Sequence, residues 1–167
     1  MMKQPRPLSK ALALMAVGLS MVLVQCRPAP DLEAWRREIL DLHRQMIDAH
    51  LKKDVRFIVD HMADGYFSVQ NGEIRHPSRQ DMAAEFEEYL GTTTFTEYRD
   101  LRQPIVGFSK DGSIAWLIVQ VRVAGRNPDG SGGEKDFGLT WAWITLFERR
   151  GDGWVWLGEA SNYKRGN

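Results

Sequence analysis

FGLTWAWITLFE-RRGDG-WVWLGEASNY, residues 137–163, is the stretch that decides the fold. Two runs dense in aromatic and β-branched residues flank a break of Gly, Asp and Arg. This pattern predicts a β-hairpin turning at Gly151-Asp152. Both residues tolerate the positive φ angles that tight hairpin turns demand. A two-residue turn pairs Phe147 with Trp156, Thr145 with Gly158 and Trp143 with Ala160. Directly opposed residues share a face. Trp141, Trp143 and Trp156 are therefore expected on one side, with Gly158 and Ala160 leaving room for the rings. A three-residue turn would move the pairing by one and bring Glu159 to that face instead.

Upstream, residues 114–124 alternate with period two. Ala115, Leu117, Val119, Val121 and Val123 share one face, while Trp116, Gln120 and Arg122 share the other. Lys110-Asp111-Gly112 predicts the turn before this strand, and residues 93–108 read as extended, interrupted by Pro104. Residues 127–133, NPDGSGG, read as a loop. Before residue 92 the pattern is helical. Asp31 caps a helix over 31–53, with Leu32, Trp35, Ile39, Leu42, Met46, Ala49 and His50 recurring at steps of three and four. A shorter helix is predicted over 55–62. Residues 66–69 read as a strand turned by Asn71-Gly72 into 73–75. Ser78 and Asp81 have capping-box spacing for a third helix ending at Gly91.

Among 167 residues, 43 % are hydrophobic and 26 % charged, with 22 basic and 22 acidic groups, which suits one globular domain. Residues 1–10 carry Lys3, Arg6 and Lys10 without an acid, and residues 11–24 carry no charge. A basic start before a short apolar run predicts a signal peptide over 1–25, since the run is short for a membrane span. Its removal leaves 19 basic and 22 acidic groups, so no basic excess points to nucleic acid. Cys26 is the single cysteine and follows the apolar run as Leu23-Val24-Gln25-Cys26. This resembles a bacterial lipoprotein site, with cleavage before a lipidated Cys26. Gln25 stands where a small residue is usual, which leaves ordinary cleavage or a retained anchor as alternatives. The expected location is therefore the bacterial periplasm or cell envelope, with Cys26 attached to the membrane. Residues 26–31 read as a Pro-containing tether, 32–163 as one domain and 164–167 as a tail.

The order of helix, helix, short hairpin, helix and long strands resembles the SnoaL-like group of the nuclear-transport-factor-2-like superfamily. The likeness is carried by residues 42–46 and 50–54, by Met62-Ala63-Asp64-Gly65-Tyr66 and by Asn71-Gly72-Glu73. Residues 111–116 and Gly153-Trp154 complete it. It implies an α+β cone: a strongly curved antiparallel sheet wrapped around about three N-terminal helices, with a pocket at the open end. It also implies frequent homodimers through the outer sheet face. It fixes no reaction, because this fold hosts isomerases, cyclases, dehydratases and binding modules.

The steroid-isomerising relatives place a carboxylate base near Gln70 or Asn71, and neither residue is a base. Other relatives carry paired histidines that align here with Gly158 and Ala160. The remaining acid–base candidates are Glu159, Tyr66 and His76. The pocket candidates are Trp116, Trp141, Trp143, Trp156 and Asn162. His43, His50, His61 and His76 have no metal-ligand spacing, and no Gly-rich loop leads a strand into a helix, so neither metal nor cofactor is expected. Three readings follow: binding of a small apolar or amphipathic ligand without conversion, a proton-transfer enzyme, or a module that homodimerises through its Trp face.

Overall fold

A computed structural model describes residues 31–165. The predicted signal peptide, Cys26, the tether before Asp31 and the last two residues lie outside the described residues. Helix α1 spans Leu32–Lys52, α2 Val55–Asp60 and α3 Arg79–Thr92. The strands are β1 Met62–Gln70, β2 Glu73–Arg75, β3 Thr94–Asp100, β4 Ile105–Phe108, β5 Ile114–Pro128, β6 Glu134–Arg150 and β7 Gly153–Arg165.

Local chemistry explains most element ends. The Asp31 carboxylate accepts from the Ala34 N–H at 2.9 Å, and Lys53 closes α1 in the left-handed region at φ 59°. The capping box at α3 forms as its sequence predicts: Ser78 Oγ accepts from the Asp81 N–H, and Asp81 accepts from the Ser78 N–H, both at 3.1 Å. Gly91 does not end α3, which runs one residue further to a Thr93 cap. The second helix is shorter than predicted. It stops at Asp60, and Met62 already belongs to a strand, because the chain is captured there by the Trp156 backbone N–H donating to the His61 carbonyl at 2.7 Å.

The seven strands form one sheet in the order β2-β1-β7-β6-β5-β3, with β4 sharing the β5 edge. β4 pairs with the first part of β5 and β3 with the second; Pro104 lies in the break between them. The sheet is mixed, not antiparallel throughout as predicted: β1 runs parallel to β7. The helices cover its inner face, where Ile39, Met46 and Ile58 pack on Ala115, Leu117, Val119 and Phe147. The predicted alternation of β5 holds, with Ala115, Leu117, Val119, Val121 and Val123 all buried. This is the α+β cone that the family resemblance implies.

The decisive hairpin turns in two residues, with Arg150 opposite Gly153 and Phe147 opposite Trp156. Gly151 takes φ +58°; Asp152 does not adopt a positive φ. Beyond Trp156 the predicted register fails. Leu157 is an extra residue on β7, a β-bulge, so Leu146 faces Gly158, Thr145 faces Glu159 and Trp143 faces Ser161. Side chains alternate along a strand, so one inserted residue exchanges the two faces from that point on.

Candidate functional site

The bulge determines what lines the inside of the cone. After Leu157, Glu159 and Ser161 turn inward beside Thr145 and Trp143. Gly158, Ala160 and Asn162 turn outward. Gly158 does not make room for indoles; a Cβ there would meet the Phe67 ring at 2.5 Å, on the outer face. Asn162 pairs with Ala142 on that same side and is exposed, so it is not a pocket residue. Trp116 also departs from the expected pocket set. Its ring covers Gly107, where a Cβ would approach within 2.3 Å, again on the outer face.

Between the sheet and the helices lies a cavity of about 260 Å³. Trp141, Trp143 and Trp156 form one wall; Tyr66, Tyr98 and Phe86 stand on other elements around it. The Trp face is thus turned toward a cavity that α1 and α3 residues also line. The Trp141 and Trp143 rings meet nearly at right angles, 79° at 6.2 Å between centroids, making a corner. The indole N–H groups of Trp141 and Trp156 are buried without an acceptor, an exception to the usual pairing of buried donors. Arg75 and Glu85 also border the cavity and form an ion pair with each other, with Arg75 Nη1 donating to Glu85 Oε2 at 3.1 Å.

Glu159 is the ionisable group that decides the chemistry. Burial alone pushes its carboxyl up to about 7, with no compensating charge or hydrogen bond among the described residues. Tyr66 lines the same cavity; burial raises its phenol first and the nearby Glu159 raises it further, so it stays protonated. His76 does not join them. It is exposed, outside the cavity lining, with its ring 6.4 Å from Phe67.

Two histidines that the sequence left scattered converge here. His43 and His50, on the buried face of α1, both line the cavity. His43 is buried and its Nε2 lies 2.9 Å from Asp100 Oδ1, the carboxylate at the end of β3. Such a contact fixes the ring orientation and favours a proton on Nε2. His50 Nδ1 lies 2.8 Å from the Met46 carbonyl and must carry its proton to bond there. Burial lowers the pKa of His50, which keeps it neutral with Nε2 bare, against the rings of Phe86, Tyr89 and Tyr98. The seven-residue spacing of His43 and His50 was the available signal; Asp100 had none. Among the described residues no group of three His, Cys, Asp or Glu side chains could hold a metal.

No family model and no curated protein matches the chain. Solved structures do. One is an NTF2-like protein from Cytophaga hutchinsonii, 14 % identical, covering 76 % of this chain and 96 % of its own, with TM-score 0.59. Another is an NTF2-like protein of unknown function in nutrient uptake from Rhodospirillum rubrum, 16 % identical over 74 % of this chain and 96 % of its own, TM-score 0.56. A third is the hexachlorocyclohexane dehydrochlorinase LinA type 2, 13 % identical over 82 % and 92 %, TM-score 0.64. The chain has the nuclear-transport-factor-2-like fold, with which the SnoaL-like group is consistent.

Proposed function

We propose that this domain binds a small apolar or amphipathic molecule inside the cone and releases it unchanged. The observation that carries the reading is the cavity of about 260 Å³ walled by Trp141, Trp143 and Trp156. A dry apolar cavity of about 150 Å³ already holds benzene, so this one suits a molecule of one or two rings. A panel of lipids, steroids and simple aromatics titrated against tryptophan fluorescence tests it. Saturable quenching, lost in Trp143→Ala, is expected; a panel with no response would sink the reading.

A second reading is proton transfer, favoured by one observation: Glu159 faces the cavity with its pKa raised to about 7, beside a protonated Tyr66. A carboxylate in that range can take a proton from carbon next to a carbonyl while a phenol donates to the oxygen. Deuterium uptake by a β,γ-unsaturated ketone in heavy water, abolished in Glu159→Gln, would establish conversion. No uptake above the buffer rate, alongside measured binding, would leave the binding module.

We further propose that the protein is exported and held at the cell envelope through Cys26, as residues 1–25 suggest. Palmitate labelling that disappears in Cys26→Ser tests the anchor. Pairing through the outer sheet face is proposed as well, since Ile105 and Ile118 are opposed there and 60 % and 40 % exposed. Light scattering on the wild type and Ile118→Lys would show a dimer become a monomer, or no dimer at all.

A further inference from the structure

Charge inside the cavity is unevenly matched. Arg75 is engaged by Glu85, His43 contacts Asp100, and His50 donates to a backbone carbonyl. No cation of the lining is left for a carboxylate or phosphate. Glu159 is the reverse case, a carboxyl flanked across the sheet by Ser68 and Thr145 and bordering the aromatic lining, with no cation or hydrogen-bond partner among the described residues. A neutral ligand would leave it so.

We propose that the ligand is a compact organic cation, a tertiary amine or quaternary ammonium, seated in the corner of Trp141 and Trp143 near Trp156 with Glu159 as its counter-charge. This rests on the ligand-binding reading and narrows it. Three features of the site fit an ammonium group. Aromatic rings attract a cation through their faces, and nearly perpendicular rings, such as Trp141 and Trp143 at 79°, approach it from two sides. Alkylated ammonium groups are weakly hydrated, so the apolar lining, with Met46, Met62 and Leu117, costs them little. The bare carboxyl then acquires a partner without any rearrangement of the ion pairs already made.

Binding also couples to a proton. Glu159 is partly protonated near neutral pH, and a cation beside it favours the carboxylate, so the complex should release a proton. The other titratable or charged groups around it are accounted for. Tyr66 on β1, Tyr89 on α3 and Tyr98 on β3 are held protonated by burial. His50 on α1 is held neutral. His43 with Asp100, and Arg75 with Glu85, are mutually paired.

The test compares phenyltrimethylammonium with tert-butylbenzene, its neutral carbon isostere, by calorimetry on the folded wild-type domain in buffers of different ionisation enthalpy. The expected result is at least about tenfold tighter binding of the cation, with proton release near pH 6.5 for the cation alone. Glu159→Gln, checked for folding by circular dichroism, should erase both the preference and the proton release. Equal or tighter binding of tert-butylbenzene overturns the cation inference while the apolar-ligand reading stands. Failure of both probes also overturns it, and the broader fluorescence panel then judges the binding reading separately. The wild-type comparison alone suffices if the variant does not fold.

Discussion

Two aromatic clusters sit at opposite ends of α1, and they differ in how their polar edges are treated. Near the helix start, Trp35, Phe108 and Trp154 pack together, with Trp35 and Trp154 edge to face at 5.7 Å and 83°. The Arg149 guanidinium lies over both indoles, at 4.8 and 5.1 Å from their centroids. Glu38 accepts from Arg149 and from the Trp154 N–H, the latter at 3.0 Å. In that cluster the buried Trp154 indole donor has an acceptor, and the cation has both rings and a carboxylate. Further along, Trp141, Trp143 and Trp156 border empty space, and Glu159 has no cation among the described residues. The same chain builds one complete aromatic–charge assembly and one that lacks a piece. Aromatic content alone would not separate a packed core from a binding site, but polar satisfaction does.

The largest expected difference between the clusters is in stability. Trp154→Ala should cost about 3–5 kcal/mol, because it opens a void under Trp35 and Arg149. Trp141→Ala, half-buried beside an existing cavity, should cost about 1–2 kcal/mol while abolishing ligand quenching. Urea titration of both variants measures this. Equal losses would mean that the cavity wall is core like the rest.

Glu159 gives the next largest effect, and its sign is definite. A carboxyl raised from 4.5 in the unfolded chain to about 7 in the fold binds its proton more tightly when folded. Stability should therefore fall as pH rises from about 4.5 to about 7, by at most about 3 kcal/mol, and level off above that. Melting of the wild type against Glu159→Gln over pH 4–8 checks it. The variant should show none of this decline, and a parallel decline in both would assign it to other groups.

Smaller still is the bond that completes the first cluster. Glu38→Gln keeps an acceptor for Trp154 but removes the charge facing Arg149, and should cost about 1 kcal/mol, decreasing in high salt. A loss that salt does not touch would point to packing instead. Ser78→Ala, remote from both clusters, should cost about 1 kcal/mol through the α3 cap and leave ligand binding unaltered.

Much of this architecture was legible because it is local. Asp31, Ser78 and Asp81 announce helix starts within four residues of the groups they bond, and β5 displays its buried face as simple alternation. The hairpin turn and the pairing of Phe147 with Trp156 could be counted from Gly151-Asp152. Other features could not be counted. Trp-Leu-Gly carries no mark of a bulge except the glycine, and the glycine is required for another reason, the Phe67 ring above it. Asp100 meets His43 across 57 residues, a contact that only the packing of α1 on the sheet creates. The parallel pairing of β1 with β7 was hidden because Met62 and Ala63 continue the apolar spacing of the helix before them.

Leu157 gives the last strand two reading frames. Before it, Trp154 and Trp156 are set by the hairpin; after it, every second residue is reassigned, so that Glu159 and Ser161 face inward in place of Gly158, Ala160 and Asn162. Deleting Leu157 would remove the bulge and leave Gly158 opposite Leu146, Glu159 opposite Thr145 and Ser161 opposite Trp143, so the acidic cavity wall would stay where it is. The hairpin up to Trp156 and the β5–β6 ladder would keep their register. A one-codon deletion therefore separates the bend and twist that the bulge adds to the sheet from the side chains that the cone presents, because it changes the first and keeps the second.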